Sequence, residues 1–395
     1  MKILFFISVR GHGKGGHFHS LNHISNYLGE INDVKIISIG TGYSNIIAQN
    51  PYFLKHFAFN GLNVFTLVAE IRKAIHEFNP DIFHFFDEYA YNILRLFINS
   101  RKKKIVVTKC GGPNPDSYPF VNNLVLFSKE DLDWFDSNPK FLNTRKYLIP
   151  NRVKPLKIDE NNTPIAKDNN VFSFVRICRI GPKYKKSIDD SIRMMEYLHS
   201  QGLSYTRLFI IGVVENEQIL SEIKKNRLIH DNTIILLTES KYTTEASKML
   251  YLADAVIGTG RGLMESASLG KPLLTINANN GYPTLITNKN FDDAMRTNFS
   301  ERNIFKSFKE TDNLQNIKLL AQNKVFQEKL SIFSTEMFNE HFTIEKVQPA
   351  YMNIYNCAIT GKRMILTDMP IILRTVKEFL KHNFKHGVGN NPKYK

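Results

Sequence analysis

Apolar residues fall in short blocks along the chain, separated by stretches with helical spacing. Lys2–Ser8 is a nearly continuous apolar run and predicts a buried strand; His17–Leu28 spaces its apolar residues as a helix does. Val34–Ile39 predicts a second strand and Val64–Glu77 a helix. Asp81–His84 begins a strand, Lys104–Thr108 forms another, and Leu124–Phe127 a short one before a helix at Lys129–Phe135. Tyr147–Ile149 closes this half. Lys154–Asn170 is polar, rich in Lys, Asp, Asn and Pro, and reads as a connection between domains. The alternation then restarts: strand Val171–Ile177, helix Ser187–His199, strands Arg207–Ile211 and Ile234–Leu237, helix Thr244–Leu252, strand Leu273–Ile276. Residues from about 315 to 358 are helical in pattern. Such alternation predicts two doubly wound, Rossmann-like α/β domains with parallel sheets.

Composition fits this picture. The 395 residues are 43% apolar, enough for two large cores and too apolar for global disorder. The three cysteines, Cys110, Cys178 and Cys357, form no disulfide or zinc pattern, which points to a reducing compartment. MKILFFISV is followed by RGHGKGG rather than a small-residue cleavage site, so it reads as a first strand and not a signal peptide. No window of about 18 apolar residues exists to span a bilayer. The net charge is +15, of which +6 lies in residues 360–395. A local basic tail of this kind suits an anionic membrane surface or nucleic acid, or is simply a solvated end. Within it, Met364–Lys385 interleaves Ile, Leu and Phe with Lys, Arg and His, as an interfacial helix does, starting near Ile371 because of Pro370. Nucleic acid is not expected as a partner, since no helix-turn-helix, zinc or RNP pattern occurs.

The densest chemistry lies in Ala253–Pro272, ADAVIGTGRGLMESASLGKP. A strand-like run ends in Gly258-Thr259-Gly260-Arg261-Gly262, and a helical segment carrying Glu265 follows. A strand, a glycine loop and a helix start together offer free N–H groups to an anion, here a nucleotide diphosphate. Gly11, Gly13 and Gly16 also fit G-x-G-x-x-G, but the next strand ends Ile39-Gly40-Thr41 without the acid a dinucleotide site needs. The second domain opens with Arg176 and Arg179 and a loop with Lys183, Lys185 and Lys186, cations placed at a strand end to meet phosphate. Lys185 is favoured among the three lysines. Asp131-Leu132-Asp133 is the nearest thing to a metal-binding D-x-D, but it lies in the first turns of a helix, where acids stabilise the N-terminus.

These features together resemble the GT-B glycosyltransferases, nearest the large retaining family of sucrose synthases and bacterial polysaccharide enzymes (family 4). The resemblance rests on Gly15-Gly16, Pro80-Asp81-Ile82-Phe83-His84, Ile149-Pro150-Asn151-Arg152, Arg179 with its lysines, Leu208–Gly212, Ala253-Asp254, and Glu265 through Pro272. It implies two such domains facing a cleft, and a sugar nucleotide, favoured as UDP-linked, as donor with no other cofactor and no metal. It implies that Glu265 holds the donor ribose, that Gly262, Leu263 and Met264 offer N–H groups to the diphosphate, and that Arg179 and Lys185 neutralise it. Gly15 and Gly16 would face the donor from the first domain; Gly212, Thr238, Gly260 and Arg261 complete the donor set, and His84 is a catalytic candidate. In place of a glutamate that relatives carry eight residues before Glu265 stands Ile257, and in place of a histidine in a Thr-x-His-Gly setting stands Cys110.

The expected organisation is a first domain over 1–152, a second over 153–335, a helical segment over 336–359 packing back on the first, and a basic amphipathic tail over 360–395. The expected activity is transfer of a sugar from a nucleotide sugar to a hydroxyl of a lipid-linked or cell-surface glycan. The resemblance implies retention of anomeric configuration. The enzyme would be cytoplasmic and peripheral on the inner face of the plasma membrane, held to anionic lipid by its tail. The alternative is a nucleotide-sugar epimerase on the same fold, with Asp87, Glu88 and Asp116 supplying the carboxylates such chemistry needs.

Overall fold

The computed structural model describes residues 1–11, 13–98, 102–159, 163–361 and 364–386. The chain divides into two compact units, Met1–Asn151 with Ile344–Lys395, and Arg152–Thr343.

In the first unit the elements are β1 (Lys2–Ser8), α1 (Gly16–Leu28), β2 (Asp33–Gly40), α2 (Asn45–Ala48), β3 (Phe53–Ala58), α3 (Val64–Phe78), β4 (Ile82–Phe85), α4 (Glu88–Leu94), β5 (Lys104–Lys109), β6 (Asn123–Leu126), α5 (Lys129–Ser137) and β7 (Arg145–Leu148). The second unit contributes β8 (Phe172–Ile177), α6 (Lys185–Ser200), β9 (Thr206–Ile211), α7 (Glu217–Lys224), α8 (Arg227–His230), β10 (Ile234–Leu237), α9 (Ser240–Thr243), β11 (Ala255–Gly258), α10 (Arg261–Ala267), β12 (Leu273–Thr275), β13 (Thr284–Leu285), α11 (Phe291–Arg296), α12 (Glu310–Gln322) and α13 (Lys324–Met337). The chain then returns to the first unit as α14 (Val347–Cys357) and α15 (Met369–His386).

The first sheet has seven strands in the order β3-β2-β1-β4-β5-β6-β7, all parallel. The second has six in the order β10-β9-β8-β11-β12-β13, with β13 antiparallel at the edge. Both sheets are covered on both faces, which is why their strands read as continuous apolar runs. In β1, Ile3, Phe5 and Ile7 join one core cluster while Leu4 and Phe6 join another. In β9, Leu208 and Ile210 face one cluster and Phe209 and Ile211 the other. A period of two thus divides each strand between two cores.

Three departures from the sequence reading bear on the architecture. Phe53–Ala58 forms the edge strand β3, although its half-exposed residues give no buried block. Thr244–Leu252 is not an α-helix: the short α9 ends before it, at Thr243, and Ala246–Leu252 is a 3-10 stretch. The return to the first unit comes at Ile344 rather than residue 336, because Phe338 and Phe342 pack in a core of the second unit while Ile344, Val347 and Tyr351 pack in one of the first.

The basic tail is largely a built part of the first unit. Ile371, Ile372 and Phe379 of α15 are buried, with Phe379 against the Phe59 ring at 4.9 Å between centroids. The carboxylate of Asp368 is fully buried and accepts from Arg95 Nη1 (2.7 Å), Lys140 Nζ (2.6 Å) and the Phe120 N–H (2.8 Å). Gly61 has φ +92, and a Cβ there would lie 2.7 Å from Leu380 Cγ, so a glycine lets α15 dock. The apolar face read as lipid-facing is therefore the face that packs on protein. Lys362, Arg363, Lys393 and Lys395 of the tail lie outside the described residues.

Candidate functional site

In the second unit the strand order reverses between β8 and β11. Loops leaving two such strands diverge and open a crevice at the carboxyl edge of the sheet, where α/β proteins bind ligands. Arg179 follows β8, Gly212 follows β9, Thr238 follows β10, and the Gly260 turn follows β11, so the expected donor residues of this unit share one edge. Arg179 is half exposed. It donates from Nη1 to Glu215 Oε1 at 2.6 Å and from Nη2 to Tyr184 Oη at 2.9 Å. Across the reversal, Gly260 has φ +52 and opens α10, a conformation that a side chain would strain. One turn on, Arg261 Nε donates to Glu265 Oε1 at 2.7 Å, and the two side chains are only 18% and 15% exposed. That shielding makes the pair stronger than an ordinary surface ion pair.

Several expected residues take other roles. The N–H groups of Leu263 and Met264 turn back to the Gly260 carbonyl at 3.2 and 3.4 Å, and both side chains are buried, so neither N–H is held ready for phosphate. Gly262 remains exposed. Lys185 pairs with Asp189 (2.9 Å) and Glu222 (3.4 Å), toward α7. Lys186 instead reaches Asp190 and the carbonyls of Asn277 and Asn280, beyond β12. Arg176 is buried and donates to Ser187 Oγ at 2.8 Å, tying β8 to α6. Gly212 is a glycine for packing: a Cβ there would lie 1.7 Å from the Cys178 carbonyl oxygen. A cavity of about 490 Å³ in this unit, lined by Pro164, Lys241 and Lys248, contains none of the expected donor residues.

His84 is corrected outright. It lies inside β4, fully buried, with Nδ1 at 2.8 Å from Tyr355 Oη and Nε2 at 2.7 Å from Thr108 Oγ1. Burial pushes its pKa down to about 3. It is a neutral core histidine joining two sheet strands to α14, and it cannot touch a substrate. Sequence placed it at a strand end; the strand runs one residue further, to Phe85.

The first unit has its own crevice. Its strand order reverses between β1 and β4, and a cavity of about 580 Å³ opens there at the ends of β1, β4 and β5. Arg10, Glu88, Lys109 and Tyr118 line it, as does Cys110. The Cys110 thiol donates to the Phe86 carbonyl at 3.2 Å, and burial pushes its pKa up, so it stays a neutral thiol. Asp131, the first acid of the D-x-D, is buried and accepts from Lys109 Nζ at 2.8 Å and from Ser128 Oγ. Asp133 pairs with Lys129 one turn away. In the glycine loop, Gly13 has φ +58 and packs against Ser44, while Gly15 and Gly16 are exposed at the start of α1. Arg10, Lys109 and Tyr118 were not singled out from sequence. Their signal, a polar side chain at the end of a buried strand or two residues past it, is legible for Lys109 and Arg10 only.

No family model and no curated protein matches the sequence. Solved structures do. HepE of Anabaena in complex with UDP is 14% identical, with a TM-score of 0.63 over 90% of this chain and 100% of that one. A glycosyltransferase of Rickettsia africae is 14% identical, with a TM-score of 0.61 over 90% and 97%. TarM of S. aureus, solved with UDP and alpha-GlcNAc-glycerol, is 12% identical, with a TM-score of 0.58 over 90% and 99%. The chain has the GT-B fold. In GT-B terms its two parallel sheets are the two Rossmann-like halves that the strand and helix alternation predicts. Likeness at this level of identity shows the fold alone.

Proposed function

We propose that this protein is a glycosyltransferase that moves a sugar from a nucleoside-diphosphate sugar, UDP-linked, to an acceptor hydroxyl. The observation that carries the reading is the crevice of the second unit. Arg179 stands on one side of the strand reversal and the Arg261–Glu265 pair on the other, within a fold shared with HepE and TarM, both solved with UDP. In this reading Glu265 accepts from the ribose hydroxyls. Arg261 and Arg179 meet the diphosphate, whose charge grows as its bond to the anomeric carbon breaks. Arg261 is held by Glu265 before the ligand arrives, so its guanidinium is preorganised. The chain's own cations neutralise the charge of the leaving group, without a metal, and the resemblance favours retention at the anomeric carbon.

A glycan acceptor and a peripheral membrane position belong to the same proposal. No described helix is long and apolar enough to cross a membrane. The outer face of α15 nevertheless exposes Leu373 and Phe384 beside Arg374, Lys377 and Lys381, a mixture suited to an anionic bilayer surface. A lipid-linked glycan acceptor held at the cytoplasmic leaflet would meet the enzyme on this face.

A thermal-shift panel of UDP, GDP, ADP and their sugars tests the donor. UDP at about 100 times its Kd should stabilise the protein by about 2.7 kcal/mol, a clear rise in Tm. The response should shrink in Glu265→Gln. Equal Tm values with every nucleotide would end the proposal.

A further inference from the structure

The turn that leaves α11, Thr297 to Asn303, is tied to the carboxyl edge of the second sheet. At its far end Asn303 is fully buried. Its Nδ2 donates to Thr275 Oγ1 at 3.0 Å and to the Ile276 carbonyl at 3.3 Å, and its own carbonyl accepts from the Ala278 N–H at 2.9 Å. In the middle Phe299 is fully buried, its ring centroid 5.7 Å from Phe291 and 5.6 Å from Phe342. The Phe299 carbonyl accepts from the Gly260 N–H at 2.7 Å. Two successive residues here are left-handed, Asn298 at φ +57 and Phe299 at φ +55. Asn298 closes α11, a place where asparagine often takes this form. For phenylalanine the same form is costly, and packing on both sides must hold it. Backbone held in this way recurs at ligand sites.

Two acceptor atoms of this turn are spare. Asn298 Oδ1 and Glu301 Oε1 are buried, and neither has a hydrogen-bond partner among the described residues. A buried oxygen without a donor costs the fold stability, so its presence points to a use. Glu301 also lies within electrostatic reach of Cys178, the residue after β8. Burial raises the Cys178 pKa, Arg176 opposes the rise, and the Glu301 charge adds to it. The turn thus reaches from Gly260, past the end of β11, to Cys178, past the end of β8. Those are the strands on either side of the reversal, and Gly260 and Cys178 are the chain neighbours of Arg261 and Arg179.

We propose that Glu301 is a specificity-determining residue of the second unit's crevice, its carboxylate accepting from a hydroxyl of the transferred sugar and Asn298 Oδ1 from another; this rests on the transferase reading above. The part of the donor follows by chemistry. In that reading Glu265 is taken by the ribose, and Arg179 and Arg261 by the diphosphate. The sugar is the remaining portion whose hydroxyls need acceptors. A buried acceptor selects strongly, because an analogue that lacks the matching hydroxyl leaves the acceptor desolvated and unpaired. The Phe299–Gly260 hydrogen bond ties this selecting turn to the backbone that carries Arg261 and Glu265.

The test uses the full-length protein and titration calorimetry with UDP, UDP-glucose, UDP-galactose and UDP-N-acetylglucosamine, then with deoxy forms of whichever sugar binds most tightly. Glu301→Gln should bind that UDP-sugar about tenfold or more weakly and bind UDP as the wild type does. One deoxy form should lose a similar factor against the wild type and little against Glu301→Gln, in which the contact is already gone. Without ligand, Glu301→Gln should melt at or above the wild-type temperature, because no bond of the fold is broken and a buried charge is removed. A variant that weakens UDP and UDP-sugar alike, one that weakens neither, or one that melts clearly below wild type would overturn the assignment and leave the transferase reading standing. A wild type that binds neither UDP nor any of these sugars would remove the UDP-linked transferase reading and this inference with it.

Discussion

Asp368 holds the C-terminal segment to the first unit, and its removal should be costly. The carboxylate is fully buried and takes three donors: Arg95, itself fully buried, Lys140, and the Phe120 N–H. In Asp368→Ala the Arg95 guanidinium stays buried without this carboxylate. Breaking a buried pair by removing one partner costs about 3–5 kcal/mol, and a backbone N–H that loses its acceptor adds about 1–3 kcal/mol. Some of this is recovered if water enters, so the expected loss is about 4 kcal/mol, a large share of the 5–15 kcal/mol typical of a domain. Urea unfolding followed by tryptophan fluorescence measures it cleanly. Trp134 is the only tryptophan, and it sits in the first unit with ring centroids 4.8 Å from Phe135 and 6.0 Å from Phe141. The signal therefore reports this unit alone, which matters because two units need not unfold together. Replacing both charges, Arg95→Met with Asp368→Leu, should restore at least half of the loss, because no buried charge is then left behind. An Asp368→Ala protein within about 1 kcal/mol of wild type would show that Asp368 does not anchor the segment. By the same reasoning, a chain ending at Thr360 should be destabilised as a whole, so membrane binding is better tested by point changes on the outer face of α15.

Other expectations follow from individual residues. His84 is neutral when folded, with a pKa near 3, and titrates near 6.5 when unfolded. Between those values the unfolded state binds the extra proton, so stability falls as pH drops; from pH 7 to pH 5 this one residue should remove about 2 kcal/mol. Urea midpoints for wild type and His84→Gln should differ in pH slope by that amount, and identical slopes would contradict the buried placement. Gly212→Ala should lose about 1–3 kcal/mol through the clash with the Cys178 carbonyl, read by thermal unfolding. Arg179→Ala should slow sugar transfer by about 10² to 10³, the usual cost of one preorganised contact to a developing charge, while Lys185→Ala, already paired with two carboxylates, tests whether α6 contributes at all. In liposome flotation, Leu373→Ser with Phe384→Ser should release the protein from anionic vesicles; unchanged flotation would remove the membrane proposal.

The sequence by itself determined the architecture. Parallel strands covered on both faces must be apolar at successive positions, and the helices between them must be amphipathic, so both sheets are legible as alternating blocks. It also put the proposed donor residues at one sheet edge, since Arg179, Gly260 and Glu265 lie just past β8 and β11. What it could not determine was which polar groups are free to act. His84 and Glu88 stand four residues apart, and both read as chemistry near the end of β4. Only tertiary structure separates them. His84 is closed off by Thr108 and by Tyr355, 271 residues away in sequence, while Glu88 opens into a cavity. The tail posed the same difficulty. Its amphipathic period is local and fits lipid or protein equally well, and the decision rests on Arg95, 273 residues from Asp368. Periodicity reports which face is apolar; the partner that covers that face is set by contacts too distant in the chain for any local pattern to record.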